Sequence, residues 1–198
     1  MERAARSAVP KWFHRSRSPK APVGKRASGP ALTLTFLTTV PMPDPGTILC
    51  RALITGSIAS AVSAAFLGLL AKAEGKVPVQ PINATSHWLH GEEAGAVTSV
   101  DVQHTATGYA THHAATVFWA ALFETLQSAA PDAGPGKVIR NAALVSTIAA
   151  IVDYGLAPKR LTPGWEGPLP IRSVAGGFAG MACGLAIGSL VRRPLTAS

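Results

Sequence analysis

Two segments of the chain are long enough and apolar enough to cross a membrane as helices. Residues 52–71 are 20 consecutive residues without a charge, bracketed by Arg51 and Lys72. Residues 173–191 form a second uncharged segment of 19 residues, with arginines on both sides. At about 1.5 Å per residue, each helix would span the roughly 30 Å hydrocarbon core of a bilayer. The pattern predicts a first and a last membrane span.

Two further apolar segments lie between these spans, and each carries ionisable residues. Residues 109–126 include two adjacent histidines and Glu124, and residues 141–158 include Asp153. We predict that both segments cross the membrane, and a re-entrant or interfacial helix is the alternative for either one. The predicted fold is therefore all-α, an integral membrane four-helix bundle with spans near 52–71, 109–126, 141–158 and 173–191.

The composition favours a membrane protein over a soluble helical bundle. Hydrophobic residues make up 47% of the chain and charged residues 14%, whereas soluble domains are about 25% charged. A soluble bundle would need polar faces recurring at the helical period, and the outer two segments show none. The two cysteines, Cys50 and Cys183, form neither a disulfide framework nor a metal-binding spacing.

Positive charge is concentrated near the N-terminus. The net charge is +8, and eight of the 18 Lys and Arg residues fall within the first 26 positions. We predict a basic, disordered cytoplasmic tail and linker at 1–50 and a membrane domain at 51–198. Anionic lipid headgroups are the expected partner of the tail, because each basic residue near an anionic leaflet gains about 1 kcal/mol.

The basic tail has two alternative interpretations. Nucleic acid binding is not favoured, because neither interleaved aromatic residues nor a binding-fold signature accompanies the charge. An organellar transit peptide shares the Arg-rich, acid-poor composition of residues 1–30 and is the second alternative.

The distribution of Lys and Arg predicts the orientation of the four spans. With the N-terminus inside, 13 of these residues fall in inner segments: nine before the first span, two between the second and third, and two after the last. The outer loops hold the other five, which are Lys72, Lys76, Lys159, Arg160 and Arg172. The positive-inside rule therefore predicts that both termini are cytoplasmic. Lys159 and Arg160 are the discordant pair.

Small residues recur every four positions in both outer spans. In the last span they are Gly176, Gly180, Gly184 and Gly188, and in the first span they are Gly56, Ser60, Ala64 and Gly68. Lipid tails are as apolar as leucine, so spans associate through close backbone contact at such ribbons. We predict that the glycine ribbon packs against the first span, a second copy of the chain or a partner membrane helix. For the first span, an Ala-rich and Gly-rich composition alone explains the alignment equally well.

Five of the six histidines fall between positions 87 and 113. Imidazoles and carboxylates are donors for divalent metals, although the segment around His87 and His90 is not the HExxH zinc motif. In the predicted topology, His113 and Asp153 lie at similar depths near the outer ends of their spans. We predict an outward-facing site that binds a divalent metal or relays protons, formed by His87, His90, His112, His113 and Asp153. The alternative is a structural polar contact, because ionisable residues cost less near the interface than at a helix centre.

Three other polar or aromatic residues have simpler interpretations. Glu124, at the inner end of the second span, is expected to play a structural role by meeting Lys137, Arg140 or the tail. Trp88 and Trp165 fall in outer loops, where their rings either rest at headgroup level or pack beneath a loop.

Several segments resemble a family of small uncharacterised bacterial multi-span inner-membrane proteins. They are residues 81–91, the pair His112 and His113 followed by 118–120, and residues 152–154 followed by 158–164. The resemblance covers about residues 81–191 and omits the tail. It implies a location in the bacterial cytoplasmic membrane, but it assigns no activity to any residue.

The sequence thus predicts a membrane protein that binds a metal or handles protons at its outer face. The alternative is a structural or interaction subunit that engages a partner through its glycine-rich span. No catalytic residue can be named, so the sequence leaves open whether the chain is an enzyme, a transporter or a structural subunit.

Overall fold

The computed structural model describes residues 43–129 and 134–195, and the regular structure within them is entirely helical. The α-helices are α1 (Pro45–Ala73), α2 (Gln80–Ala84), α3 (His87–His90), α4 (Thr107–Ser128), α5 (Pro135–Ile151) and α6 (Ile171–Leu195). Short 3₁₀ turns lie at Glu92–Ala96 and Lys159–Leu161, and π-helical turns at Val102–Ala106 and Val152–Leu156. Residues 1–42 of the predicted basic tail lie outside the described residues.

Local chemistry explains where α1 begins and ends. Oδ1 of Asp44 accepts hydrogen bonds from the backbone N–H groups of Gly46 at 2.9 Å and Thr47 at 3.1 Å. Pro45 occupies the first helical position, where its missing N–H costs nothing. After the helix, Gly75 adopts φ +73°, which favours glycine. Because α1 begins at Pro45, the predicted boundary between residues 50 and 51 lies within this helix.

Three helical segments are long and apolar enough to cross a membrane: Pro45–Ala73, Pro135–Leu156 and Ile171–Arg192. They correspond to the first, third and fourth predicted spans. The third ends earlier than predicted, because Ala157 is extended before Pro158, and proline disfavours the helical conformation in the residue before it. The predicted second span corresponds to α4, which is not one of the three.

The four long helices pack in the cyclic order α1, α4, α5, α6, with α1 and α6 forming the most extensive interface. Neighbours run antiparallel: His112 of α4 lies beside Ser63 of α1, whereas Glu124, further along α4, lies beside Thr55. The segments 74–106 and 157–170 therefore lie at one end of these helices, here called the loop end.

Helix α4 buries most of its polar residues together with Trp119, Ala120 and Phe123, and its exposed face is largely apolar. Its buried residues include His112, Thr116, Glu124, Gln127 and Ser128. Its exposed residues include Tyr109, Ala110, Ala114, Phe118 and Leu122. A helix at the surface of a water-soluble protein has the opposite arrangement. The polar residues that lower the mean hydropathy of α4 are thus turned away from the bundle surface.

The glycine ribbon of α6 faces α1 of the same chain. A Cβ atom added at Gly184 would lie 2.5 Å from Cα of Ala59, and one at Gly188 would lie 3.0 Å from Cα of Thr55. Gly176 and Gly180 face the side chains of Leu70 and Phe66 in the same way. Only glycine allows the two backbones to approach this closely.

The small residues predicted in α1 do not face the glycine ribbon. Gly56 packs against α4, where an added Cβ would lie 2.8 Å from Cα of Val117. Gly68 faces Pro78, Ser60 is buried, and Ala64 packs at the edge of the core. Two faces of α1 are therefore used, one against α6 and another against α4.

Candidate functional site

The two segments at the loop end are joined by hydrogen bonds between distant residues. Nε2 of His87 lies 3.2 Å from the carbonyl oxygen of Lys159, and Nε of Arg160 donates to the carbonyl of Trp88 at 3.1 Å. Nε1 of Trp165 donates to the hydroxyl of Thr85 at 3.1 Å. These bonds hold the segment 157–170 over the ends of the long helices.

A cavity of about 240 Å³ lies beneath this cover. It is bounded by α4, by the π-helical turn that follows α5, by α6 and by both loop segments. Its lining includes three tryptophans and three residues with ionisable side chains: Trp88, Trp119, Trp165, His112, Asp153 and Arg160. The cavity therefore combines a largely apolar, tryptophan-rich surface with several polar groups, as small-molecule sites commonly do.

His112 is oriented by α1. Its Nε2 lies 2.9 Å from the hydroxyl oxygen of Ser63 and 3.3 Å from the carbonyl oxygen of Ser60. The Ser63 hydroxyl itself donates to the carbonyl of Ala59 at 2.8 Å. Its oxygen therefore accepts a hydrogen bond from the N–H group at Nε2 of His112. In the neutral ring, Nδ1 is then a hydrogen-bond acceptor, and no described residue donates to it.

Asp153 reaches the cavity from the π-helical turn Val152–Leu156, in which Ala157 N–H donates to the carbonyl of Val152 at 2.8 Å. Such single π turns occur frequently at functional sites. The Asp153 carboxylate is half-buried. Among the hydrogen bonds of the described residues, none is donated to it.

The structure brings two of the five predicted metal ligands, His112 and Asp153, to one cavity. His87 instead lies with Nδ1 3.0 Å from the carbonyl oxygen of Ala84, in addition to its contact with Lys159. The ring of His113 packs against Tyr109.

His90 also lies away from His112 and Asp153. Its ring packs against that of His104, whose Nδ1 lies 3.0 Å from Oδ2 of Asp101. Within residues 43–129 and 134–195, no group of three or more His, Cys, Asp or Glu side chains is placed to hold a metal ion. Of the five predicted residues, His112 and Asp153 thus line one cavity, whereas His87 and His90 contact other loop residues and His113 contacts Tyr109.

Glu124 lies on α4, 12 residues beyond His112 and toward the other end of the bundle. Its Oε1 accepts from the hydroxyl of Thr55 at 2.7 Å, and its Oε2 accepts from Nη2 of Arg192 at 2.7 Å. Both members of this ion pair are buried. The predicted structural role fits this position; among the described residues its partners are Thr55 of α1 and Arg192 of α6, and Lys137 and Arg140 are not among them. The tail lies outside the described residues.

The sequence did not single out Trp119 or Arg160 as members of a site, and it placed Trp165 at headgroup level or beneath a loop. Trp165 is in fact 3% exposed, between the rings of His112 and Phe178. Three of the four tryptophans of the chain line this one cavity, and their spacing in the sequence carried no signal of it. Comparison with protein-family models, curated proteins and solved structures gave no match.

Proposed function

We propose that this chain is an integral membrane protein that binds a small molecule in the loop-end cavity, where Asp153 and His112 exchange protons with it. The observation that carries the proposal is the convergence of these two residues, from different long helical segments, on one cavity. Ionisable residues in spans are costly and usually face a functional interior.

Four spanning helices are part of this proposal. Three segments have the required length and composition. Support for α4 as the fourth is its exposed face of Tyr109, Ala110, Ala114, Phe118 and Leu122, which suits contact with lipid tails. With four spans, the loop end lies on the side opposite both chain termini.

The bacterial cytoplasmic membrane, with both termini inside, is the proposed location. The distribution of Lys and Arg supports this orientation, and the family resemblance supports this membrane. The cavity then opens toward the outer face. In this orientation the basic N-terminal segment meets anionic headgroups of the inner leaflet.

A small organic molecule suits the cavity better than a metal ion does. A structural or catalytic metal takes three or four protein ligands, whereas this cavity contains His112 and Asp153 among aromatic rings. The volume of about 240 Å³ lies below the roughly 300 to 1,000 Å³ of drug-sized sites. The expected ligand is therefore small.

The interaction-subunit alternative has less support. A partner helix would need the glycine ribbon, but Gly180, Gly184 and Gly188 are already covered by α1 of the same chain. Any partner would have to use a different face.

The test is a pair of neighbouring substitutions on α4. Ala115 lines the cavity and Ala114 does not, although both are exposed alanines of one helix. Wild type, Ala115→Trp and Ala114→Trp are purified in detergent, and each is screened against one library of small amines, acids and alcohols by thermal shift. We expect library members to stabilise wild type and Ala114→Trp but not Ala115→Trp, in which the indole fills the cavity.

The proton-handling part is tested in the same assay with Asp153→Asn. Ligands that bind wild type with uptake or release of a proton should show a pH-dependent shift that this variant loses. If wild type and Ala115→Trp respond to the same compounds, the cavity is not the binding site and the proposal fails.

A further inference from the structure

Two polar groups of the cavity are hydrogen-bond acceptors that are free to bind a ligand. The Asp153 carboxylate receives no hydrogen bond from a described residue. Nδ1 of His112 receives none either, because the ring makes its hydrogen bonds to Ser63 and Ser60 of α1 through Nε2. An isolated carboxylate in an aromatic cavity is costly to desolvate unless a positive charge accompanies it. The acceptors alone therefore call for a ligand that is cationic or donates hydrogen bonds.

Two of the three tryptophans donate their indole N–H groups to threonine hydroxyls. Nε1 of Trp88 donates to the hydroxyl of Thr111 at 3.1 Å, and Nε1 of Trp165 donates to that of Thr85 at 3.1 Å. These rings offer the cavity their π systems rather than a donor. The faces of indole rings attract cations, with energies of about 0.5 to 2 kcal/mol each.

Arg160 is the positively charged member of the lining, and it lies at the exposed edge of the cavity. Its side chain also borders a surface groove with Lys159, and its Nε is held by the carbonyl of Trp88. A solvated guanidinium is screened by water and salt, so its charge offsets that of Asp153 only in part.

We propose that the ligand of this cavity is a small organic ammonium ion, held by the Asp153 carboxylate and the indole faces. This inference rests on the proposed function, because it names the class of molecule that the cavity takes. An ammonium that carries N–H groups gains one further hydrogen bond, to Nδ1 of His112. The ligand binds reversibly, and no covalent bond is formed or broken.

The experiment uses the tryptophans of the cavity as its reporter. The full chain with Trp12→Phe, in detergent, keeps Trp88, Trp119 and Trp165, all of which line the cavity. Choline and its neutral carbon isostere, 3,3-dimethylbutan-1-ol, are titrated while tryptophan fluorescence is followed. These molecules have nearly the same shape and differ by one positive charge. We expect choline to bind at least about tenfold more tightly.

Asp153 variants connect this preference to the carboxylate. Asp153→Asn should reduce the preference for choline to within about twofold, and Asp153→Glu, which keeps the charge, should retain most of it. Glu166→Gln is the matched control, because Glu166 is a nearby acid that accepts from Tyr154 and does not line the cavity. It should bind both compounds as the parent does.

Three outcomes overturn the inference: equal binding of the two compounds, a choline preference that survives in Asp153→Asn, or no response to choline in the parent chain. The first of these would leave the small-molecule site of the proposed function in place, since the isostere would still bind the cavity. Failure of the proposed function would appear separately, as identical responses of wild type and Ala115→Trp in the library screen.

Discussion

The carboxylate of Glu124 on α4 and the guanidinium of Arg192 on α6 form a buried ion pair with Oε2 and Nη2 2.7 Å apart. The two residues are 68 positions apart in sequence. The pair links α4 to α6, which both pack against α1. Breaking a buried pair leaves one charge without a partner, at a cost of about 3 to 5 kcal/mol.

We predict that Glu124→Gln lowers the thermal unfolding temperature in detergent and reduces the free energy of unfolding by about this amount. The double variant Glu124→Leu with Arg192→Met should recover much of the loss, because no isolated charge remains. Glu92→Gln, at an exposed position, is the control. A stable Glu124→Gln protein would show that the pair is not formed.

The exposed face of α4, which the proposed four-span topology places in lipid, gives a second prediction. Phe118 is 66% exposed at the middle of this helix, so Phe118→Lys should impair insertion, with a cost of about 2.5 to 3.5 kcal/mol for a charge at the centre of a span. The amount of protein in alkali-washed membranes measures this. Val100→Lys, in an exposed loop position, should have no effect, and equal yields of the two would argue against α4 as a span.

The two native cysteines report the topology. Cys50 lies in the second turn of α1, at the end opposite the loop end, and Cys183 lies on the outer surface of α6 near its middle. A membrane-impermeant maleimide should label Cys50 in inside-out vesicles only, because both termini are expected to be cytoplasmic. Cys183 should stay unlabelled from either side, since a membrane-impermeant reagent does not reach a thiol that faces lipid.

Two variants serve as controls for this labelling. One is Cys50→Ser, and the other is the double variant Cys50→Ser with Val100→Cys, in which the new thiol lies in the loop predicted to be external. In intact cells the maleimide should label only the double variant. Labelling of Cys50 in intact cells would reverse the orientation, and efficient labelling of Cys183 would place α6 in water.

Glu74 gives a prediction about pH. Hydrogen bonds from the Arg172 guanidinium, and then from the Ser173 hydroxyl, hold the pKa of Glu74 below its ordinary value of 4.5. A lowered folded-state pKa means that the contribution to stability is complete above the unfolded-state value and is lost as pH falls through the folded-state value. Glu74→Gln should therefore lower the unfolding temperature at neutral pH.

The difference in unfolding temperature between wild type and Glu74→Gln should shrink as the pH falls below about 4.5, the ordinary pKa of a glutamate. It should also shrink in high salt, since the Arg172 side chain is exposed. Unfolding temperatures measured across a pH series give the result. A difference that does not change with pH would assign the effect to packing instead of charge.

Close packing of α6 on α1 gives the last prediction. Gly184→Ala places a Cβ 2.5 Å from Cα of Ala59, and overpacking of this kind costs about 1 to 3 kcal/mol. Gly136→Ala is the matched control, because no atom lies within 4 Å of its added Cβ. The unfolding temperature should fall for the first variant and be unchanged or slightly raised for the second. Equal values would show that α1 and α6 can separate at no cost.

The sequence alone determined the helical class and the three apolar segments that are long enough to cross a membrane. Runs of uncharged residues and small residues at a four-residue period are local properties, and they depend little on what lies around them. The same reasoning found α4 by its position and gave Glu124 a structural role, but it could not tell which of the polar side chains of α4 are buried. Hydropathy averages all faces of a helix, whereas the bundle decides which face is turned inward.

Only the tertiary structure decided which of the clustered residues meet. His112 and His113 are adjacent in sequence, but about 100° of helical rotation separates neighbouring residues, and the bundle turns His112 toward Ser63 and the cavity. Trp88, Trp119 and Trp165 come from three separate parts of the chain and line one cavity. Their proximity depends on loop contacts such as Trp165 to Thr85, 80 residues apart, and sequence spacing carries no information about contacts at that range.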